Sequence, residues 1–317
     1  MSDPTKNTEA RPWIVIGSLL FIAFAILMAV LEQFNMTSDS NPTDLKKEKS
    51  QAPPIVIHNT NTNEASNFAK FFALLGSKRI VDMSHSFDET TIYWPTDKPF
   101  RWEKNRWGPN ANGYWYASAN YAASEHGGTH LDSPIHFAEG GNTTDQIDLE
   151  RLVGEALVVD IREKCNTNPD YLLTVKDLKD WEQTNGLIDP GTILVIRTGW
   201  SIHWPNKKAY LGTDQPGDVA NLHFPGIGPD AASFLVTERK LEGVLIDTPS
   251  LDYGQSKDFK THRILNGANI YGIENLANAE QLPIRGAAII ALPMKIKGGT
   301  GGPVRVMAIL PEPIKGN

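Results

Sequence analysis

The stretch "HGGTHLDSPIH" places His126, His130, Asp132 and His136 within residues 126–136. Imidazole nitrogens beside a carboxylate form a donor set suited to Zn²⁺, Mn²⁺ or Fe²⁺. All four positions are even, so an extended chain would turn them to one face. That alone is insufficient, because four residues of straight strand hold His126 about 13 Å from His130, too far to share one ion. The chain must fold back, and Gly127 and Gly128 reach backbone angles that permit the bend. His130 and Asp132, two apart, then converge on one ion, and Pro134 redirects the chain ahead of His136. Four such groups at these spacings favour a metal site over surface-turn residues or satisfied core histidines. An open ion that activates water is the catalytic reading. No Cys pair for structural zinc, no G-x-S-x-G elbow and no HExxH helix competes with it.

The elements that must position these residues are legible as periodicity. From Arg79 onward, "ALVVDI" at 156, "TILVIRTG" at 192, "GVLIDT" at 243, "AAIIALP" at 287 and "VRVMAIL" at 304 read as buried strands. Between them, Thr174 and Asp177 form a capping-box pattern that opens a helix closing at Gly186, and Pro229 stands at the first turn of another. The class is therefore mixed α/β in one domain spanning 64–317. "NFAKFFALLG" puts Phe68, Phe71, Phe72 and Leu75 on one helical face and ends at Gly76, predicting a short docking helix at the start of that domain. "GGTGGP" at 298–303 lacks the Lys-Ser/Thr pair of a phosphate loop and reads as tight turns.

Composition bounds the partners. The chain has 317 residues and is 40 % hydrophobic, enough for a full core. Its net charge of -7 leaves no basic excess for phosphates, which argues against nucleic acid. The single cysteine, Cys165, excludes an intramolecular disulfide. After a tail at 1–12, residues 13–31 read "WIVIGSLLFIAFAILMAVL" without a charge. As a helix this run spans roughly 28 Å, close to a bilayer's apolar thickness of about 30 Å, and predicts a single-pass transmembrane anchor rather than a cleaved signal peptide. Lys6 and Arg11 ahead of the span favour an N-terminus inside and the main domain outside the cytoplasm, although Lys46, Lys47 and Lys49 follow it. Residues 32–63 are polar and read as a flexible tether.

"HGGTHLDSPIH" resembles the H-x-G-T/A-H-x-D-x-P-x-H signature of the cyclase-like metal hydrolases, the family of bacterial kynurenine formamidases and isatin hydrolases. "TIYWPTDKPF", "LIDTPSLDYGQSKDFKTH" and "ALPMKIKGGTGGPVRVMAIL" are similar to further segments of that family, so the resemblance runs from about Arg79 to Leu310. It implies a barrel-like β core with surrounding helices, assembled as a homo-oligomer. Position by position it makes His126 and His130 terminal metal ligands, Asp132 a ligand able to bridge two ions, and His136 the general acid/base. It also makes His262 and Glu274 ligands of a second position and Trp94 a wall of the substrate pocket. With Tyr93, Trp102, Trp107, Trp115 and Tyr116 nearby, Trp94 reads equally as pocket or as ordinary aromatic core. Two departures stand out. The family's Trp-Pro-Gly-Asp is Trp94-Pro95-Thr96-Asp97 here, and its Glu-Gly-Leu is Glu274-Asn275-Leu276.

The implied activity is hydrolysis of an amide in a small aromatic substrate, either an aryl formamide such as N-formylkynurenine or a cyclic amide such as isatin. One or two divalent ions, Zn or Mn, supply hydroxide and polarise the carbonyl, while His136 moves the proton. The competing class is a membrane-anchored scaffold or metal-dependent binding protein with the same fold and no turnover.

Overall fold

The computed structural model describes residues 79–311. The tail at 1–12, the span expected at 13–31, the tether at 32–63 and the helix expected within 67–76 lie outside the described residues. Strands β1 (Ile80–Asp82), β2 (Arg101–Pro109), β3 (Trp115–Ala122), β4 (His130–Asp132) and β5 (Val153–Asp160) come first. Helix α1 (Arg162–Thr167), β6 (Leu172–Leu173), α2 (Val175–Asn185), β7 (Ile193–Arg197), α3 (Lys207–Leu211), β8 (Gly226–Ile227) and α4 (Pro229–Phe234) follow. Then come β9 (Gly243–Ile246), α5 (Lys260–Gly267), β10 (Tyr271–Glu274), β11 (Ala287–Pro293) and β12 (Gly301–Ile309).

Seven strands close into a barrel in the order β12-β11-β5-β7-β9-β10-β4, with β4 pairing back onto β12 and β1 adding only to β12. Strands β5, β7, β9 and β10 run parallel. The four remaining contacts of the ring are antiparallel. Parallel neighbours require crossover connections, and those supply the helices.

Alternation across each strand gives every wall residue one destination. Ala156 and Val158, Ile193 and Val195, Leu245, Ile273, and Val304 and Val306 share one buried cluster, the barrel interior. Offset by one, Leu157, Val159, Leu194, Ile196, Val244 and Ile246 join a second cluster with Leu178 and Trp181 of α2, Ala231 and Ala232 of α4, and Leu265 of α5. Burial on both faces is why β5, β7 and β9 read as continuous apolar runs rather than as alternation. The cap of α2 is as expected: Asp177 N–H donates to Thr174 Oγ1 at 3.2 Å, and Thr174 N–H donates back to Asp177 Oδ2 at 2.8 Å. Gly186 ends that helix at φ 87°, and Pro229 opens α4.

Two expectations need correction. Only the first part of "GGTGGP" is a turn, since Gly301, Gly302 and Pro303 belong to β12 and pair with Asp132, Leu131 and His130. The aromatic group around Trp94 also divides. Trp102, Trp107, Trp115 and Tyr116 lie on a two-stranded hairpin of β2 and β3, between 46 % and 63 % exposed, and belong neither to the core nor to the cavity that Trp94 lines. No helix among the described residues is long and apolar enough to cross a membrane.

Candidate metal centre

Leu131 and Ile273 point into the barrel, so His130, Asp132 and Glu274, one residue away on β4 and β10, face its outer side. The register sets Glu274 opposite His130 and Gly272 opposite Asp132, which brings the two carboxylates and the imidazole together across the strand pair. Ahead of β4 the chain bends at Gly128 (φ 57°), while Gly127 keeps a negative φ. The expected fold-back therefore rests on one of the two glycines. After β4, Pro134 starts a single 3₁₀ turn, Pro134–His136, which carries His136 back onto His126 with ring centroids 3.8 Å apart. Helix α5 supplies His262 from above, its first turn held by Asp252, which accepts the backbone N–H of Thr261 and of His262, each at 3.1 Å.

The donor atoms gather in two triads that share Asp132: His126, Asp132 and His136, and His130, Asp132 and Glu274. His262 Nε2 adds contacts to both carboxylates, 3.2 Å from Asp132 Oδ2 and 3.0 Å from Glu274 Oε1. All these residues line one cavity of about 270 Å³, together with Trp94. The structure thus brings together every residue singled out from the sequence as catalytic, ligating or substrate-binding.

Hydrogen bonds on the far side of each ring determine what it offers the centre. His130 Nδ1 lies 2.9 Å from the Gly128 carbonyl, an acceptor only, so this nitrogen carries the proton. Its Nε2 then presents a lone pair toward Asp132 Oδ1 and Glu274 Oε2, at 3.2 and 3.4 Å. His262 Nδ1 donates to Asp252 at 2.7 Å, leaving its Nε2 lone pair on the same two carboxylates. Thr300 O–H donates to Glu125 at 2.6 Å, so its oxygen accepts from His126 Nε2 at 2.8 Å, and His126 Nδ1 faces Asp132 Oδ1 at 2.7 Å. With a cation in place of any further proton, three imidazole lone pairs would converge on two buried carboxylates, and no Lys or Arg lines the cavity among the described residues. Such a concentration of negative charge and lone pairs fits a divalent cation, and outer partners of this kind are how proteins orient ligating histidines.

Without an ion the same carboxylates draw protons onto the rings of His130 and His262, and those are the protons a divalent cation would displace. Burial pushes Asp132 up, but the charge of His130 and hydrogen bonds from His126, His130 and His262 outweigh it and hold Asp132 well below the usual carboxylate range. Burial, then repulsion by Asp132, raises Glu274. Burial would lower His130, yet Asp132 and Glu274 lift it to about 9. His136 is pushed down to about 3, chiefly by burial, and is neutral near pH 7.

Both departures from the family pattern fit locally. Asn275 adopts φ 56°, a conformation that asparagine tolerates, and its amide donates to the Gly128 carbonyl at 2.8 Å, beside His130. Tyr210 O–H holds the other end of that amide at 2.9 Å. Thr96 takes no positive φ, because the turn closed by Asp97 N–H onto Trp94 C=O at 2.9 Å places no glycine-only demand on it. Sequence reasoning assigned no role to Asp252, Thr300, Asn275, Tyr93 or Asp97. All five fall within stretches that resemble the family, but nothing in their residue types marked a role.

Comparison with known proteins agrees with this geometry. The chain is 35 % identical to an isatin hydrolase of Roseibium aggregatum over 211 residues, 64 % of this chain and 78 % of the relative. It is 28 % identical to a kynurenine formamidase of Salinibacter ruber over 241 residues, 74 % of this chain and 99 % of the relative. The structure of isatin hydrolase A from Ralstonia solanacearum superposes with a TM-score of 0.71 at 33 % identity, covering 80 % of this chain and 99 % of that one. The model of the family described as "Putative cyclase" matches residues 81–253, more than half of the chain, and with these relatives it shows that the protein belongs to the cyclase family.

Proposed function

We propose that this protein is a metal-dependent hydrolase that opens the amide of a small aromatic substrate. The observation that carries the reading is the convergence of imidazole nitrogens and two carboxylates on the wall of a cavity with aromatic sides and, among the described residues, no Lys or Arg. When bound there, one or two divalent ions, Zn or Mn, would acidify water and polarise the amide carbonyl. His126, His130, Asp132, His262 and Glu274 would hold them, with Asp132 shared. Trp94, packed against Phe259 at 5.9 Å and Phe224 at 6.4 Å, presents an aromatic surface suited to a planar ring.

His136 is the proposed proton carrier. Its ring is neutral near pH 7 and unoccupied by any side-chain hydrogen bond among the described residues, so it is free to take a proton and return it to the leaving nitrogen. The first triad favours a second reading, in which His136 ligates an ion. Metal content of His136→Ala separates the two.

The substrate class, an aryl formamide such as N-formylkynurenine or a cyclic amide such as isatin, rests on the two named relatives. Metal analysis of the purified protein with a panel of formamides and cyclic amides tests it. Bound metal without turnover of any member would leave a ligand-binding protein instead. Two associations belong to the same proposal: a membrane anchor at 13–31, tested by retention on membranes after a high-salt wash, and a homo-oligomer, tested by light scattering.

A further inference from the structure

Beside the metal triads stands a tyrosine that the proposed chemistry does not use. Tyr93 forms an isolated antiparallel bridge with Gly127, the residue after His126. A Cβ on Gly127 would stand 2.1 Å from Tyr93 Cδ1, so the ring lies directly against the metal-binding segment, a packing open only to glycine. Tyr93 is 5 % exposed and lines the same cavity as the triads. Its hydroxyl is buried and has no hydrogen-bond partner among the described residues. A buried hydroxyl without a partner is unfavourable, and native proteins retain such groups chiefly where function uses them. Burial, helped by the charge of Asp97, pushes this phenol up to about 12, so near pH 7 it remains a donor.

Resting on the amidohydrolase reading above, we infer that Tyr93 selects the substrate by donating a hydrogen bond to a carbonyl oxygen carried ortho to the scissile nitrogen on its aromatic ring. A substrate with its amide carbonyl at the metal centre and its ring against Trp94 has few polar atoms left to meet the hydroxyl of a tyrosine that lines the same cavity. On a planar aryl amide, an acceptor close to the reacting nitrogen is an ortho carbonyl. Isatin carries one on its five-membered ring, and an ortho-acyl formanilide carries the same group on an open chain. The apolar walls Ile92, Phe137 and Phe259 offer that oxygen no donor.

The test uses the full-length, metal-loaded protein and its Tyr93→Phe variant on two matched pairs: isatin with oxindole, and 2-formamidoacetophenone with formanilide. The second member of each pair lacks the ortho carbonyl. Intrinsic reactivity differs within a pair, but it cancels when the ratio of kcat/KM for wild type over variant is compared between members. Loss of one neutral hydrogen bond predicts a wild-type preference for the carbonyl-bearing member that falls about tenfold in Tyr93→Phe. Because the hydroxyl has no protein partner among the described residues, the variant's thermal midpoint should equal or exceed the wild type's. Equal ratios for both members of each pair, or a lowered midpoint, would overturn the role of Tyr93 and leave the hydrolase reading intact. Failure of the metal-loaded wild type on all four compounds would overturn that reading and, with it, the inference built on it.

Discussion

Replacing Asp252 by Asn tests whether the outer hydrogen bond to His262 organises the metal centre. Asp252 Oδ2 accepts from His262 Nδ1 at 2.7 Å and from the His262 backbone N–H, while Oδ1 accepts from the Thr261 N–H and from Ser256 O–H, the latter at 3.1 Å. Each oxygen thus receives one backbone N–H at the start of α5. An asparagine must put its NH₂ at one of these positions, so one N–H loses its acceptor in either orientation. With the NH₂ at the Oδ2 position the effect reaches the metal site. Two donors cannot face each other, so His262 would shift its proton to Nε2, toward Asp132 Oδ2 and Glu274 Oε1 at 3.2 and 3.0 Å. A proton would then occupy the space that two carboxylates and a lone pair offer a cation.

Two magnitudes follow. Loss of a charge-assisted cap should lower stability by about 1 to 3 kcal/mol. At about 2 to 4 °C per kcal/mol for a domain of this size, the thermal midpoint should fall by several degrees. Loss of an outer partner of a ligating histidine should weaken metal binding by about ten- to hundredfold, or about 1.4 to 2.8 kcal/mol. Competitive chelation with a colorimetric indicator, well below the midpoint of both proteins, reads the second effect apart from the first. Unchanged metal affinity in a folded Asp252→Asn protein would place His262 outside the metal's ligand shell.

His136→Ala should retain nearly all its metal while turnover falls by about 10² to 10⁴, as measured by elemental analysis and initial rates; an emptied site would make His136 a ligand. In an apo titration, full activity should require two equivalents of metal and Glu274→Gln should lower that number; saturation of both proteins at one equivalent would rule out a second ion. For pH, burial pushes His85 down to about 4 from the 6.5 usual for an imidazole, with the charge of Asp82 offsetting part of that. Between those values the unfolded chain binds a proton that folded His85 refuses, so stability should fall as pH drops through that window. His85→Phe, which keeps an aromatic ring stacked 4.1 Å from Trp204, should flatten the loss between pH 7 and 5 in urea unfolding, and an unaltered slope would assign the dependence to other groups.

Much of the barrel was legible because β5, β7 and β9 are buried on both faces, which writes them as unbroken apolar runs. Its closure was not. The ring shuts where Gly301, Gly302 and Pro303 pair with β4, and glycine and proline are residues that strand propensity counts against. At Gly301 there is no room for bulk: a Cβ would stand 2.5 Å from the Leu131 carbonyl oxygen and 2.6 Å from His126 Cε1. The β2–β3 hairpin misleads in the opposite sense. Trp102, Trp107, Trp115 and Tyr116 are the residue types of a core, yet they sit on a ribbon exposed to solvent, and composition cannot distinguish those cases.

The metal site divides along a similar line. His126, His130, Asp132 and His136 were visible because ligand side chains are rare types and these four fall close together in the chain. What makes them a site is the protonation state imposed from behind: the Gly128 carbonyl on His130, Asp252 on His262, and Thr300 with Glu125 on His126. A backbone carbonyl leaves no trace in residue identity, and Thr300 is 174 positions from His126, so neither could be read before the strands were paired. The same pairing explains why Asp132 can serve both triads. As the last residue of a strand hydrogen-bonded on both edges, to β10 and to β12, it is held by two neighbours and needs no adjustment of its own backbone to face both His126 and Glu274. A shared carboxylate fixed in this way sets the spacing of the two donor groups through the barrel itself, so a substitution that loosened the β4–β12 pairing would disturb both together.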